Sequence, residues 1–584
     1  MDESYSGRVG TKILQVALIR PGLFQATLRL FPVVALCLFL APVGAGLIAT
    51  VLPAFGYFPA LGGESLSLEP WRTLFTLPGI AESLRLTLFT GFLATLLAFV
   101  IVIGFCSVVH GTRLFNRAQI MLSPLLATPH VAVAIGLSFL ISPSGWMARW
   151  VSPWLTGWNR PPDVSIIHDP LGLSFVLGLL LKEVPYLTLM TVAALGQVRS
   201  RETLVVARSL GYSPVKAWLR TVLPQIYPQI RLPIYAVLAF SMSVVDVAIV
   251  LAPTNPPPLS ALVFRLFLDR DLKMIFPAAA GACLQFMVVV AAICLWRLME
   301  LTVQRVARPW LTKGPANERN LFAGPFWIGI VGGLVSLSLL GTLALVLWSF
   351  ARSWFYPQSL PQAWTLSHWA RQLQGLVWPS TVTLVVGFSA AIIALILTIG
   401  CLQNERVNGL GSTSRTLWLL YTPLLVPQIA FLFGVQILLV RFDLDSTWTA
   451  LVWSHLLFVF PYVFLSLADP WRSFDVRYRD SALTLTGSSL KTFFLVELPL
   501  MLMPTLFALA LGFAVSVGQY LPTIFAGGGR FTTLTVEAVT LSSGGDRRVV
   551  GIYAFIQAAL PLIVYCSAIM IPRWAYRKRR GMHL

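Results

Sequence analysis

The chain has 584 residues, 57% of them apolar and only 11% charged, with a mean hydropathy of +0.78. A soluble domain carries about 25% charged residues, so an ordinary soluble globular protein is excluded. The formal charge of +19 fits the Lys and Arg that membrane proteins keep in their cytoplasmic loops better than it fits nucleic-acid binding.

Lipid admits only helices or closed barrels, because no water is present to satisfy backbone groups. The apolar runs here are long and unbroken rather than short and alternating, which favours helices. Arg8, Lys12, Arg20 and Arg29 precede the first run, which is too long for a cleavable signal peptide. Residues 1–30 are therefore expected to form a cytoplasmic N-terminal segment. About 20 apolar residues cross a bilayer, and twelve such stretches are expected. In the first half they lie near 31–53, 86–108, 119–142, 171–196, 232–252 and 275–296. In the second they lie near 326–350, 379–401, 416–440, 448–468, 502–521 and 550–572. The basic stretch 297–325, with Pro309 and Pro315, reads as a cytoplasmic linker between a first module at 31–296 and a second at 326–572. The tail, 573–584, carries Arg577-Lys578-Arg579-Arg580. The fold class is thus an all-α membrane protein of about twelve spans.

Twelve spans put both termini on one side. With the termini inside, the inner segments hold 28 of the 42 Lys and Arg and the outer loops 12. The positive-inside rule then places both termini in the cytoplasm. The six cysteines, at 37, 106, 283, 294, 401 and 566, sit in or beside apolar runs without a CxxC pair. They read as small apolar fillers, with no metal site or disulfide framework.

The halves repeat in order. Ser83-Leu-Arg-Leu-Thr87 resembles Ser380-Thr-Val-Thr383, and Ser123-Pro-Leu-Leu126 resembles Thr422-Pro-Leu-Leu425. Val184-Pro-Tyr186 resembles Phe460-Pro-Tyr462, and Leu223-Pro224 resembles Leu498-Pro499. The spacing between partners changes once, because the outer loop at 143–170 is longer than its counterpart at 441–447. Both halves run in the same direction, so the repeat is parallel and implies a pseudo-two-fold axis along the membrane normal.

The longest inner loops apart from the linker join the fourth to the fifth span and the tenth to the eleventh. Each reads as helix, break, helix. Gly211 and Gly487 suit a C-terminal cap with positive φ. Ser213 and Ser488 suit the next N-cap, and Pro214 the first turn after it. Trp218, Leu219 and Val222 form an apolar stripe, and Pro224 or Pro499 is expected to end the second helix at the membrane. Such a helical pair suits docking into a soluble partner's groove.

Both loops resemble the EAA loop of ABC importer permeases, E-A-A-x(3)-G-x(9)-I-x-L-P. Ala207, Gly211, Leu223 and Pro224 match in the first loop, with Val205, Val206 and Thr221 at the Glu, first Ala and Ile positions. Ala482, Gly487, Leu498 and Pro499 match in the second, where the Gly-to-Pro interval is one residue short. The six-span layout of each half resembles type I (MetI-like) importer permeases, and Gly527-Gly-Gly-Arg-Phe-Thr-Thr-Leu534 resembles the fused ferric-iron and thiamine group. The resemblance implies a permease of the bacterial inner membrane. It also implies that the eight matched loop residues couple to two ABC ATPase subunits, and that an external solute-binding protein delivers cargo. Ferric iron, thiamine or another small solute remain open as that cargo.

No G-x(4)-G-K-[ST] occurs, no catalytic cluster is apparent, and no cofactor is expected. The chain is therefore not expected to be an enzyme, and ATP hydrolysis falls to separate subunits. Ionisable groups within spans are functional candidates by default. Asp246 and Ser243 in the fifth span, and Ser516 and Gln519 in the corresponding region, are expected to face a path between the halves; an internal hydrogen bond is the plainer alternative. Lys182 and Glu183 read as packing partners near the Pro185 kink, and His130 and His455 as structural histidines. An ion-gradient transporter would need acidic residues in several spans, and few are present. A membrane scaffold without cargo remains the other alternative.

Overall fold

The computed structural model describes residues 27–312, 314, 323–410 and 414–577. The N-terminal basic residues before Thr27, most of 313–322 and Lys578-Arg579-Arg580 lie outside the described residues. The principal helices of the first half are α1 (Leu30–Ala54), α2 (Ile80–Val109), α3 (Arg113–Ala127), α4 (His130–Ile141) and α5 (Leu173–Gly196). They continue as α6 (Ser200–Ser209), α7 (Pro214–Ala217), α8 (Leu223–Ser243), α9 (Asp246–Leu251), α10 (Leu259–Phe267) and α11 (Ile275–Thr312). The second half begins with α12 (Ala323–Phe350), α13 (Ser367–Val407), α14 (Ser414–Leu425), α15 (Gln428–Arg441) and α16 (Trp448–Arg472). It ends with α17 (Val476–Thr486), α18 (Ser489–Thr492), α19 (Leu498–Leu500), α20 (Leu502–Val517), α21 (Leu521–Gly527), α22 (Leu534–Ser542) and α23 (Arg547–Ala575). A short antiparallel hairpin pairs Ala351 with Trp364 and Ser353 with Ala363.

Among the described residues nine helices are long and apolar enough to cross a membrane, or eleven if two bent pairs are each one span. The remaining expected stretch, 232–252, is divided between α8 and α9, which part after Ser243. Residues 297–312, read as linker, continue the preceding span as helix in α11.

The halves are interlocked by their first spans. α1 packs on α15 of the second half, and α12 packs on α4 of the first. Each contact centres on a glycine pair at repeat-related positions. A Cβ at Gly434 would fall on the Gly46 carbonyl oxygen, and one at Gly136 would lie 2.8 Å from the Gly341 carbonyl. Bare glycine lets backbones approach to this distance, the small-residue packing that replaces a hydrophobic drive between helices in lipid.

The repeated threonines have a matching role. Thr87 Oγ1 accepts the Leu259 N–H at 2.8 Å, and Thr383 Oγ1 accepts the Leu534 N–H at 3.0 Å. Each satisfies a donor at the start of a short buried helix, α10 or α22, that would otherwise be unpaired.

Four expected spans are not continuous. The stretch 119–142 breaks between α3 and α4 at Thr128-Pro129, and 416–440 breaks between α14 and α15 at Val426-Pro427, with a bend of 89°. Proline has no N–H to continue the ladder and pushes the preceding residue to extended backbone; Thr128 has ψ 133°. The stretch 232–252 breaks between Ser243 and Asp246, and 502–521 breaks at Gly518–Tyr520. At the first of these the Ser243 hydroxyl donates back to the Ala239 carbonyl at 2.6 Å, a bond that bends helices, and two β-branched valines follow. The carbonyls released are bonded by other helices: Gln285 Nε2 reaches Met242 O at 3.0 Å and Ser260 Oγ reaches Val244 O at 3.2 Å. Thr535 Oγ1 does the same for Val517 O. Broken backbone at membrane depth is tolerated only where it is satisfied in this way or lines a cavity.

Candidate functional site: a cavity between the halves and two helical knobs

The four breaks converge. Residues from all of them, including Pro129, Val244, Val426 and Gly518, line one cavity of about 200 Å3. Asp246, Ser243 and Gln519 line it, as expected. Asp246 is not mid-helix but opens α9, because the fifth span breaks just before it. Ser516 is not among the lining residues; its hydroxyl meets His455 Nδ1 at 2.8 Å, while His455 Nε2 meets Thr523 Oγ1 at 3.0 Å. His455 is thus a buried histidine with both ring nitrogens engaged. His130 lies in the cavity wall with its ring 4.8 Å from that of Phe240.

Lys182 and Glu183 also line the cavity. The Lys182 ammonium donates to the carbonyls of Leu125 at 2.8 Å, Leu126 at 3.2 Å and Thr128 at 2.5 Å. These carbonyls end α3 and lack helical partners because of Pro129. A cation at a helix C-terminus is also favoured by the helix dipole. The Thr-Pro and Val-Pro pairs were the sequence signal for these breaks, but each sits inside an apolar run of spanning length, which masks them.

The two loops form similar knobs at the end of the bundle where α5 and α16 finish. In the first, α6 ends at Gly211, with φ +89°; in the second, α17 ends at Gly487, with φ +63°. Ser488 caps α18 by accepting the Lys491 N–H, whereas the Ser213 hydroxyl makes no capping bond. Ala207, Ala482, Trp218 and Val222 are buried against the bundle. Pro224 does not end a helix, whereas the helix that holds Pro499 stops one residue later, at Leu500. In both knobs a π-helical turn, Trp218–Val222 or Phe493–Glu497, precedes Leu-Pro directly, and helix resumes at Leu223 or Leu498. The wider turn leaves the position where proline's ring and missing N–H are tolerated. After α19 the chain bends by 76° into α20.

The knobs are anchored differently. Arg220 stacks over Trp310 of α11 at 4.5 Å. In the second knob the buried Glu497 receives Arg406 Nη1 at 2.8 Å and Gln403 Nε2 at 3.2 Å, with Arg479 at 3.5 Å. The sequence places Glu497 only near the motif's Ile position and does not foretell this anchor. Outward, Val205, Val206 and Leu210 are exposed on the first knob, and Leu485 on the second is 87% exposed.

Two parallel-repeat halves with a cavity between them and a repeated helical knob on each define a membrane transport permease. No family model matches the chain. It is 32% identical over 525 residues, 89% of its length and 93% of the relative's, to the inner membrane ABC transporter permease protein YnjC of Escherichia coli. The protein named as the 2-aminoethylphosphonate transport system permease protein PhnV of Salmonella choleraesuis is 22% identical over 222 residues, 84% of that protein and 38% of this chain. The spermidine/putrescine transport system permease protein PotC of Escherichia coli is 24% identical over 188 residues, 70% of that protein and 32% of this chain. The chain belongs to the ABC transporter permease family, as a fused tandem permease of the importer type residing as a multi-pass protein in the inner membrane.

Proposed function

We propose that the cavity between the halves is the translocation pathway and that the two knobs are the contacts for a pair of ABC ATPase subunits. Exposed apolar side chains at the tip of each knob carry this reading. Val206, Leu210 and Leu485 face solvent beside helices already packed to the bundle, and exposed apolar surface of this kind marks a protein contact. The distribution of Lys and Arg supports a cytoplasmic location for the knobs and for both termini. A solute-binding protein would then meet the loops at the other end, 143–170 among them. Closure of the ATPases on ATP draws the knobs together, the halves rock about the pseudo-axis, and hydrolysis resets them.

Replacing Val206 and Leu485 together by Asp tests the reading. The variant is expected to keep the thermal stability of the parent in detergent, since both side chains are exposed, and to lose co-purification of the ATPase. An ATPase held as firmly by the double variant as by the parent overturns the assignment of the knobs.

A further inference from the structure

The cavity is charged from one half only. His130, Lys182, Glu183 and Asp246 all belong to the first half. At the repeat-related positions the second half holds Gln428 for His130, Phe458 for Lys182 and Val459 for Glu183. The Lys182 ammonium has three N–H donors, and three carbonyls take them. It therefore has no donor left for a carboxylate. The Asp246 carboxylate lies at the first residue of α9. Among the described residues neither Asp246 nor Glu183 forms an ion pair. Lys182 is the one cationic side chain set against two buried carboxylates, so the lining formally carries one more negative than positive charge, which is costly in a low-dielectric site and favours a cation from outside. The rings of Tyr186, Tyr462 and Tyr520 line the same space, and aromatic faces attract ammonium groups.

From this arrangement we infer that the solute drawn through the cavity is a small organic cation, an ammonium-bearing molecule whose charge sits against Glu183 and Asp246 and whose body lies on the tyrosine rings. The inference rests on the cavity being the pathway, as proposed above. A bare metal ion is a poorer fit, because no group of three His, Cys, Asp or Glu side chains that could hold one occurs among the described residues. An anion would meet two carboxylates and a lysine whose donors are spent.

The test uses the full chain in membrane vesicles with its ATPase, its six native cysteines replaced, and a single thiol introduced as Ser243→Cys or, separately, Gln519→Cys. Each is treated, with and without ATP and vanadate, with the 2-(trimethylammonium)ethyl or the 2-sulfonatoethyl methanethiosulfonate, reagents of similar reach and opposite charge. With each rate divided by that of the same reagent with free 2-mercaptoethanol, which removes the thiolate's own preference for a cation, the cationic reagent is expected to react at least about tenfold faster, the scale on which a charged cleft focuses ions. Glu183→Gln with Asp246→Asn is expected to bring the ratio near one. Equal rates in the parent, faster reaction of the anionic reagent, or a ratio unmoved by the double substitution overturns the cation inference while leaving the pathway standing. No reaction at either thiol in either state overturns the pathway itself, and the cation inference with it.

Discussion

Arg149 Nη1 donates to the carbonyl oxygen of Phe355 at 2.9 Å, joining the loop 143–170 of the first half to the loop after α12 in the second. The guanidinium is 4% exposed and lies over the rings of Trp348, Trp354 and Tyr356 at 5.6, 5.1 and 5.5 Å. Arg547 returns the contact from α23 to Ser144 Oγ at 2.9 Å. The two arginines clasp the halves at the end opposite the knobs. Arg149→Ala removes several charge-assisted bonds and the ring contacts together, and each such bond is worth about 1.5–3 kcal/mol. The expected outcome is a clear fall in Tm of the detergent-solubilised chain. Arg149→Lys keeps the charge but not the planar fork, and its Tm is expected between the two. A Tm unchanged in Arg149→Ala would refute the clasp.

The crossing of α1 over α15 depends on the absence of side chains. Gly434→Ala would drive a methyl group into the Gly46 carbonyl, and overpacking of this kind costs about 1–3 kcal/mol. Gly329→Ala, where a Cβ would meet nothing within 4 Å, serves as the control and is expected to match the parent. Thermal unfolding monitored by loss of monodisperse chain on gel filtration distinguishes them.

Glu497 is 1% exposed and holds the second knob to α13 through Arg406. Removing one partner of a buried ion pair costs about 3–5 kcal/mol, because the other charge is stranded. Glu497→Gln is expected to expose the second knob to limited proteolysis after Arg477 or Arg479. The first knob, anchored through Arg220 on Trp310, is expected to stay resistant at Arg208. Equal resistance of both knobs in the variant would show that the carboxylate does not anchor this loop.

Asp546 caps α23 by accepting the Arg548 N–H at 3.0 Å. The Arg548 side-chain hydrogen bond holds its carboxyl below the usual carboxylate range. A depressed folded pKa contributes stability that is complete above the unfolded value, about 4 for Asp. That stability fades as pH falls through the folded value. Asp546→Asn is therefore expected to be less stable than the parent near neutrality and to converge with it below about pH 4. Parallel Tm curves across that range would contradict the assignment.

Solvent and local geometry were the parts of this protein that the amino-acid sequence determined by itself. Apolar runs of spanning length can lie only in lipid as helices, so the helical character and order of these stretches were legible, but not the number of continuous spans, which is nine to eleven among the described residues rather than twelve. The Thr87 and Thr383 repeats, and the Gly211 and Gly487 breaks with their positive φ, were legible for the same local reason. The parallel repeat was legible because matched prolines and threonines recur in one order. The features that only the tertiary structure decided depend on partners distant in the chain. Pro129 and Pro427 sit in runs long enough to span, and nothing local tells a kink from a break. The break at Thr128 stands because Lys182 supplies donors for the carbonyls it frees, and the break after Ser243 because Gln285 and Ser260 do. The same physics placed Asp246 at a helix start in a cavity wall, and turned Ser516 away from it toward His455. Hydrophobic periodicity reports which side chains avoid water, but not which helix will satisfy an orphaned carbonyl; that is settled only when the halves close on each other.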